Sequence, residues 1–202
     1  MNQRSFAKFG GDYLQRLALA AQQIPLEPVE QLANAMLDCW RTRRQLFIFG
    51  NGGSAGNAIH LANDFLYGIS RVAGHALRVH ALPANSAVLT CLANDEGYEH
   101  IFAHQLAVLA EPGDIALAFS GSGNSPNILR ALERCKERGV RSFAVLGYSG
   151  GKAKALADVP IHVAIDDMQI SEDLQLVVGH MLMQWLFQRK KGAFPGEKGV
   201  NT

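Results

Sequence analysis

Apolar positions recur every three to four residues through the first part of the chain: Tyr13, Leu14, Leu17, Ala18 and Ala21, then Val29, Leu32, Ala33, Met36, Leu37 and Trp40. That period lays one apolar stripe along each of two helices, with Leu17, Leu32, Met36 and Trp40 available to the monomer core or to a subunit contact, core packing being the default. Pro25 and Pro28 mark where one helix stops and the next begins. Arg41, Arg43 and Arg44 close the second helix as a solvated, dipole-compatible end. From Gln45 the pattern changes to short apolar runs, at Leu46–Phe49, Arg78–Leu82 (the weakest), Asp114–Phe119, Arg141–Leu146 and Val159–Ile165. Three of them run straight into glycine- and serine-rich stretches at 50–54, 120–126 and 147–151. Helical patterns follow to about Tyr67, from Pro126 to about Glu137, and from about Ser171 to Lys190. Strand, loop, helix, repeated, predicts an α/β fold: a doubly wound, mostly parallel five-stranded sheet flanked by helices, preceded by an N-terminal helical pair. The lack of polar alternation agrees with strands buried on both faces. We read residues 1–202 as a single domain, with helices over 1–44, an α/β core over 45–190 and a loose tail over 191–202.

Composition narrows the partners more than the fold. A chain of 202 residues with 48% hydrophobic and 18% charged residues suits one folded core and excludes wholesale disorder. The balance of 19 basic and 18 acidic residues argues against a nucleic-acid surface built from bulk charge, so no direct nucleic-acid binding is expected. Cys39, Cys91 and Cys135 are scattered without a CxxC, which suggests neither a disulfide framework nor a thiolate zinc site. No apolar leader opens the chain, and no uncharged apolar run approaches the roughly 18 residues of a membrane span. We therefore expect a soluble, cytoplasmic protein with no membrane contact.

In an open parallel sheet, ligands bind beyond the carboxyl ends of strands, where loops enter helix N-termini. The stretch Ser120-Gly121-Ser122-Gly123-Asn124-Ser125 offers serine hydroxyls, closely approachable backbone and the N-terminus of a helix whose first position is Pro126. An anion fits those features. Neither this loop nor Gly50–Ser54 carries GxxxxGK[ST] or GxGxxG, so nucleotide binding loses its best support.

The order of separated motifs, GNGGSAGNAIH at 50–60, AND at 93–95 and FSGSGNSPNIL at 119–129, resembles the sugar isomerase (SIS) domain proteins, and within them the phosphoheptose isomerases. The resemblance runs from about residue 15 to 190. It implies a doubly wound fold, a homo-oligomer, usually a tetramer, with active sites between subunits, and a phosphorylated sugar as substrate. It also implies that Asn51, Gly52, Gly53, Ser54, Asn94, Asp95, Ser120, Gly121, Ser122 and Ser125 line the sugar-phosphate pocket.

His60 and Asp64 lie four apart on one helix, so both side chains leave the same face and can converge on a divalent ion. The resemblance extends that pair to a zinc site of His60, Asp64, Glu172 and His180, with Asp64 and Glu172 standing where the family has Glu and Gln. Asp64 reaches roughly 1.5 Å less than a Glu. Two carboxylates in one site repel unless a cation or proton neutralises one, which favours a bound metal. Glu172 and His180 are eight apart, roughly 12 Å along a helix and turned by about 80°. One ion meets both only if it lies midway or if Glu172 sits outside the regular helix; otherwise two chains contribute separately. The remaining histidines, His75, His80, His100, His104 and His162, are read as structural.

The chemistry implied is ketose–aldose interconversion, sedoheptulose 7-phosphate to D-glycero-D-manno-heptose 7-phosphate, in lipopolysaccharide precursor synthesis. Asp64 or Glu172 is the carboxylate base and His180 its acid–base partner, with His60 chiefly a ligand. Two departures from the family bear on specificity: Gly121 replaces a common Thr, and Gly68 stands where an Arg is common, Arg71 being the nearest substitute in a segment one residue longer. Two other readings remain open at this point. One is a non-catalytic SIS module that binds a phosphosugar and a protein, like the relative associated with the bacterial replication initiator. The other is an isomerase for a different phosphorylated sugar.

Overall fold

The computed structural model describes residues 5–69 and 76–193. Strands β1 (Gln45–Gly50), β2 (Arg78–Ala81), β3 (Ile115–Ser120), β4 (Arg141–Leu146) and β5 (Val159–His162) form one sheet in the order β2-β1-β3-β4-β5. Every pair is parallel. The predicted five-stranded, doubly wound sheet is what forms. The strands are short apolar runs because both faces are covered. Leu46 and Ile48 point into one core with Leu32, Met36, Trp40, Leu61, Phe65, Leu174 and Val178, while Phe47 and Phe49 point into the other with Phe102, Leu106, Ile128 and Leu132.

Helices α1 (Phe6–Ala21), α2 (Leu26–Arg41), α3 (Gly53–Asn63) and α8 (Met168–Ala193) cover the first face. Helices α5 (Ala103–Leu109), α6 (Pro126–Arg138) and α7 (Ala153–Leu156) cover the second, and α4 (Ser86–Asp95) stands beside them with no buried residue of its own. The apolar stripe of α2 is core, as its period predicts: Leu32, Met36 and Trp40 are buried. No helix among the described residues is long and apolar enough to cross a membrane.

Three boundaries differ from expectation. The last helix starts at Met168 rather than Ser171, because the Asp167 carboxylate accepts the Ile170 amide (3.2 Å) and is held by Arg16 (2.6 Å). Those bonds hold its carboxyl below the ordinary carboxylate value, the Ile170 amide contributing most. The same helix continues to Ala193, so the first residues assigned to the tail are helical, while 194–202 lie outside the described residues, as do Arg71 and His75. Strand β5 ends at His162, after which Val163 donates its amide to the Leu146 carbonyl (3.0 Å).

The chain leaves β1 for β2 on one side and then returns to build β3, β4 and β5 on the other. The reversal lies between β1 and β3, where Gly50 pairs with Phe119. Loops 51–54 and 120–125 are thereby neighbours at the carboxyl edge of the sheet, the place where open α/β sheets hold ligands.

Candidate active site

The β3–α6 loop is held rigid by its own hydroxyls. Ser120 Oγ accepts the Gly123 amide (3.0 Å) and Ser122 Oγ accepts the Asn124 amide (3.3 Å). Each hydroxyl thus has a lone pair occupied and its proton free to donate. Ser125 is the N-cap of α6, yet its side chain makes no capping bond. Gly123 (φ +65°) lies against the Gly150 carbonyl, which a Cβ there would meet at 2.0 Å, so the loop rests directly on the backbone of 150–151.

Asn51, Ser54, Phe119, Ser120, Gly121, Ser122, Ser125, Met168 and Glu172 enclose a cavity of about 100 Å³. Most of the residues expected to line a sugar-phosphate pocket therefore meet at one point. Gly52 supplies the turn into α3 with φ +56°. Gly53 lies beneath Glu172, whose carboxylate a Cβ at 53 would strike at 2.3 Å. A side chain at Gly121 would meet the Met168 sulfur at 2.6 Å, so Met168 fills the space that a larger residue would take. Asn94 and Asp95 stand apart from this cavity, exposed at the end of α4, where Asn94 donates to Asp95 (2.7 Å). That bond, followed by one from Cys91, lowers the Asp95 carboxyl below its ordinary value.

Helices α3 and α8 run side by side in the same direction away from the cavity. Gln175 bonds Ser54 near their N-terminal ends, and His180 meets His60 further on. The approach is close because Gly179 faces Leu61, whose side chain a Cβ at 179 would meet at 2.4 Å. The two imidazoles come edge to face, with Nε2 atoms 3.1 Å apart. Asp64 Oδ2 lies 3.5 Å from His60 Nε2 and 3.7 Å from His180 Nε2. A point equidistant from atoms with these separations lies about 2.0 Å from each, the length of zinc–imidazole and zinc–carboxylate bonds. The donor set fits a divalent ion with an open coordination position, as catalytic sites have.

Asp64 opens a five-residue π-helical turn, Asp64–Gly68, that continues α3. Such turns arise from an inserted residue and gather at functional sites.

Glu172 does not join the trio. It lies inside regular helix, one of the two single-ion geometries being thereby removed, and its carboxylate sits in the serine cavity over Gly53. Outside the site, His80 stacks on Phe47 (5.3 Å between ring centres) and bonds Gln45 (2.9 Å), while His162 bonds the Tyr148 carbonyl (2.9 Å). Neither lines the serine cavity or joins the trio.

Several polar contacts at the site join residues without an assigned role, Asn57 and Asn127 among them although both lie within the motif stretches 50–60 and 119–129. Asn51 and Asn127 exchange reciprocal amide bonds (2.8 Å each), with Tyr98 also donating to Asn51 (3.2 Å). Asn57 and Gln175 tie α3 to α8. Tyr13 donates to Asp173 (2.5 Å), a bond that pushes its phenol up to about 12 and fastens α1 beside Glu172. Asn127 was marked by its place in the 119–129 motif, whereas only polarity on an otherwise apolar face could have marked Gln175.

An open parallel sheet with serine-lined loops at its reversal and a cation-competent trio two turns away is the form of a ligand-binding α/β enzyme domain. Residues 11–147 match the model of the SIS domain. The chain is 35% identical to the phosphoheptose isomerase of Trichlorobacter lovleyi, covering 84% of this chain and 86% of that one, and 35% identical to that of Aneurinibacillus thermoaerophilus, covering 82% and 83%. The solved phosphoheptose isomerase of Neisseria gonorrhoeae superposes with a TM-score of 0.83 at 28% identity, over 91% of this chain and all of that one. The chain belongs to the SIS domain family, on its phosphoheptose isomerase branch.

Proposed function

We propose that this protein is an aldose–ketose isomerase converting sedoheptulose 7-phosphate to D-glycero-D-manno-heptose 7-phosphate, a reaction of lipopolysaccharide precursor synthesis in the cytoplasm, and that it works as a homotetramer. The observation that carries the reading is the convergence of three donor atoms at His60, Asp64 and His180, two helical turns from a serine-lined cavity. Glu172 and His180 are separated by roughly 12 Å along α8. An extended seven-carbon sugar phosphate spans on the order of 10 Å, given carbon–carbon bonds of about 1.5 Å. One substrate therefore reaches from the cavity to the trio. The enzyme names of the relatives agree with this.

The hydroxyls of Ser120, Ser122 and Ser125 donate to the phosphate, aided by the N-terminus of α6. Asn51 and Ser54 hold the sugar beside them, with Asn94 and Asp95 available to a neighbouring subunit's site at the exposed end of α4. His60, Asp64 and His180 would hold a divalent ion, zinc by the chemistry of the donor set, and when bound it would supply Lewis-acid polarisation of the carbonyl oxygen. Asp64, through the carboxylate oxygen not turned to the ion, would take the proton from C1, and a proton carried on the second ring nitrogen of His180 would pass to the C2 oxygen, giving an enediol. Return of a proton to C2 and loss of the O1 proton complete the exchange, with no net gain or loss of atoms or electrons. Glu172, seated in the cavity away from the trio, accepts from sugar hydroxyls rather than serving as base.

The test is turnover of sedoheptulose 7-phosphate by the purified protein before and after chelation. Activity that is lost with the metal and restored by zinc is expected. A protein that carries no metal and turns over nothing with zinc added overturns the reading and leaves the non-catalytic phosphosugar-binding module.

A further inference from the structure

The seam between α3 and α8 is apolar along most of its length, with Ala58, Leu61, Leu174 and Val178 packed together. Gln175 interrupts it. Its carboxamide is 1% exposed, and a buried amide costs free energy unless its hydrogen bonds are made. They are made, and in one sense. Asn57 Nδ2 donates to Gln175 Oε1 (3.0 Å) and to the Glu172 carbonyl (3.0 Å); Gln175 Nε2 then donates to Ser54 Oγ (2.9 Å). A serine hydroxyl has one proton and two lone pairs. Ser54 has a lone pair committed to Gln175, so its proton is left to donate, and Ser54 lines the cavity. The chain of donors runs Asn57 to Gln175 to Ser54 and ends facing the ligand.

We propose that Gln175 is a positioning residue for substrate binding: it holds the Ser54 hydroxyl as a hydrogen-bond donor into the cavity, aimed at an acceptor oxygen of the phosphorylated sugar. This rests on the functional reading above and adds to it a residue that touches no ligand. A leucine or methionine at 175 would pack the seam without any buried amide. The polar residue is kept because binding needs the hydroxyl oriented before the ligand arrives, which lowers the cost of ordering it on binding.

The test is a cycle of Gln175→Met, Ser54→Ala and the double variant, reading KM and kcat with sedoheptulose 7-phosphate and affinity by calorimetry. Methionine keeps the length of the side chain and removes both its donor and its acceptor. We expect each single variant to raise KM about tenfold with kcat within about twofold, and the double variant to be no worse than either single one, since both remove the same donated bond. Bound metal stays unchanged. A purely structural Gln175 would instead lower stability and add its effect to that of Ser54→Ala, which overturns the proposal. So does a KM within twofold of the parent in Ser54→Ala, a truncation of a single hydroxyl that guards against misfolding of Gln175→Met. If the parent protein neither binds nor turns over the sugar phosphate, the functional reading falls first and this inference with it. If the parent is active and the variants bind normally, the inference alone falls.

Discussion

The two ends of the α3–α8 seam are built on different principles. At the cavity end the polar groups are fixed by other side chains and by backbone: Gln175 and Ser54 are 1% and 3% exposed, and the serine loop bonds to its own amides. At the other end His60 and His180 are nearly half exposed, and their close polar neighbours are each other and Asp64. The cavity's own side chains are therefore held in place as folded, while the trio is a set of three donors that a cation would complete. The difference teaches where damage should fall. A change in the cavity weakens binding by degrees, because neighbours share the load. A change in the trio removes both a ligand and a proton carrier.

The sharpest way to break that contrast is His180→Ala. It deletes one of three donor atoms and the group assigned to the oxygen proton. We expect kcat to fall by about a hundredfold or more and bound metal to drop sharply, with unfolding temperature in the absence of metal little changed, since the side chain is half exposed. Metal analysis beside initial rates checks this. Normal turnover would mean that the trio is not the reacting centre.

Gly179→Ala tests the same end through packing rather than chemistry. A Cβ at 179 meets the buried Leu61 side chain at 2.4 Å, so α3 and α8 must separate or Leu61 must leave its rotamer. Overpacking of this kind costs about 1–3 kcal/mol. We expect lower stability together with weaker metal retention, because His60 and His180 ride on the two helices being pushed apart. If metal retention is unaffected, the trio tolerates movement and the close helix approach serves the core alone.

How much of this was legible follows from what each element buries. Strands showed themselves because two-sided burial makes continuous apolar runs, and α2 because its stripe is a full core face. Helices α4 and α5 were not read: α4 has no fully buried residue, with only Leu89, Leu92 and Ala93 partly packed on the core, and α5 is seven residues long, so neither imposes a strong period on the sequence. The glycine–serine loops and the His60–Asp64 spacing marked residues that the fold does bring together, since local geometry alone sets those groupings. The distance between Glu172 and His180 was legible as two helical turns, but which neighbour each would face depends on α3, and no local signal carries that. The π turn at Asp64 was foreshadowed only by a segment one residue longer than the family pattern. Asn57 and Asn127 lie within the quoted motifs but their partners do not show in sequence, and Gln175 carries no signal, because a polar residue on a helix reads as solvent-facing until its neighbour is in place.

The smallest effect belongs to a histidine that lies outside both ends and sharpens the contrast by serving as a control. His80 stacks on Phe47 and bonds Gln45 at the β2 edge. Burial lowers its affinity for a proton below the ordinary imidazole value of 6.5, and the Arg78 guanidinium lowers it further against the opposing pull of Asp114. The unfolded chain therefore binds a proton at His80 before the folded one does. The stability tied to the neutral ring is fully present above pH 6.5 and is lost as the pH falls from there toward the lower folded-state value. We expect His80→Gln, which preserves a polar group at that edge, to flatten the fall in unfolding temperature between pH 7.5 and pH 5.5 by a degree or two, roughly the response of a protein this size to a few tenths of a kcal/mol. Turnover and bound metal should match the parent at neutral pH. A loss of either would move His80 out of the role of an edge-strand histidine stacked on Phe47 and into the reacting site, and the division between the seam's two ends and the rest of the molecule would have to be redrawn.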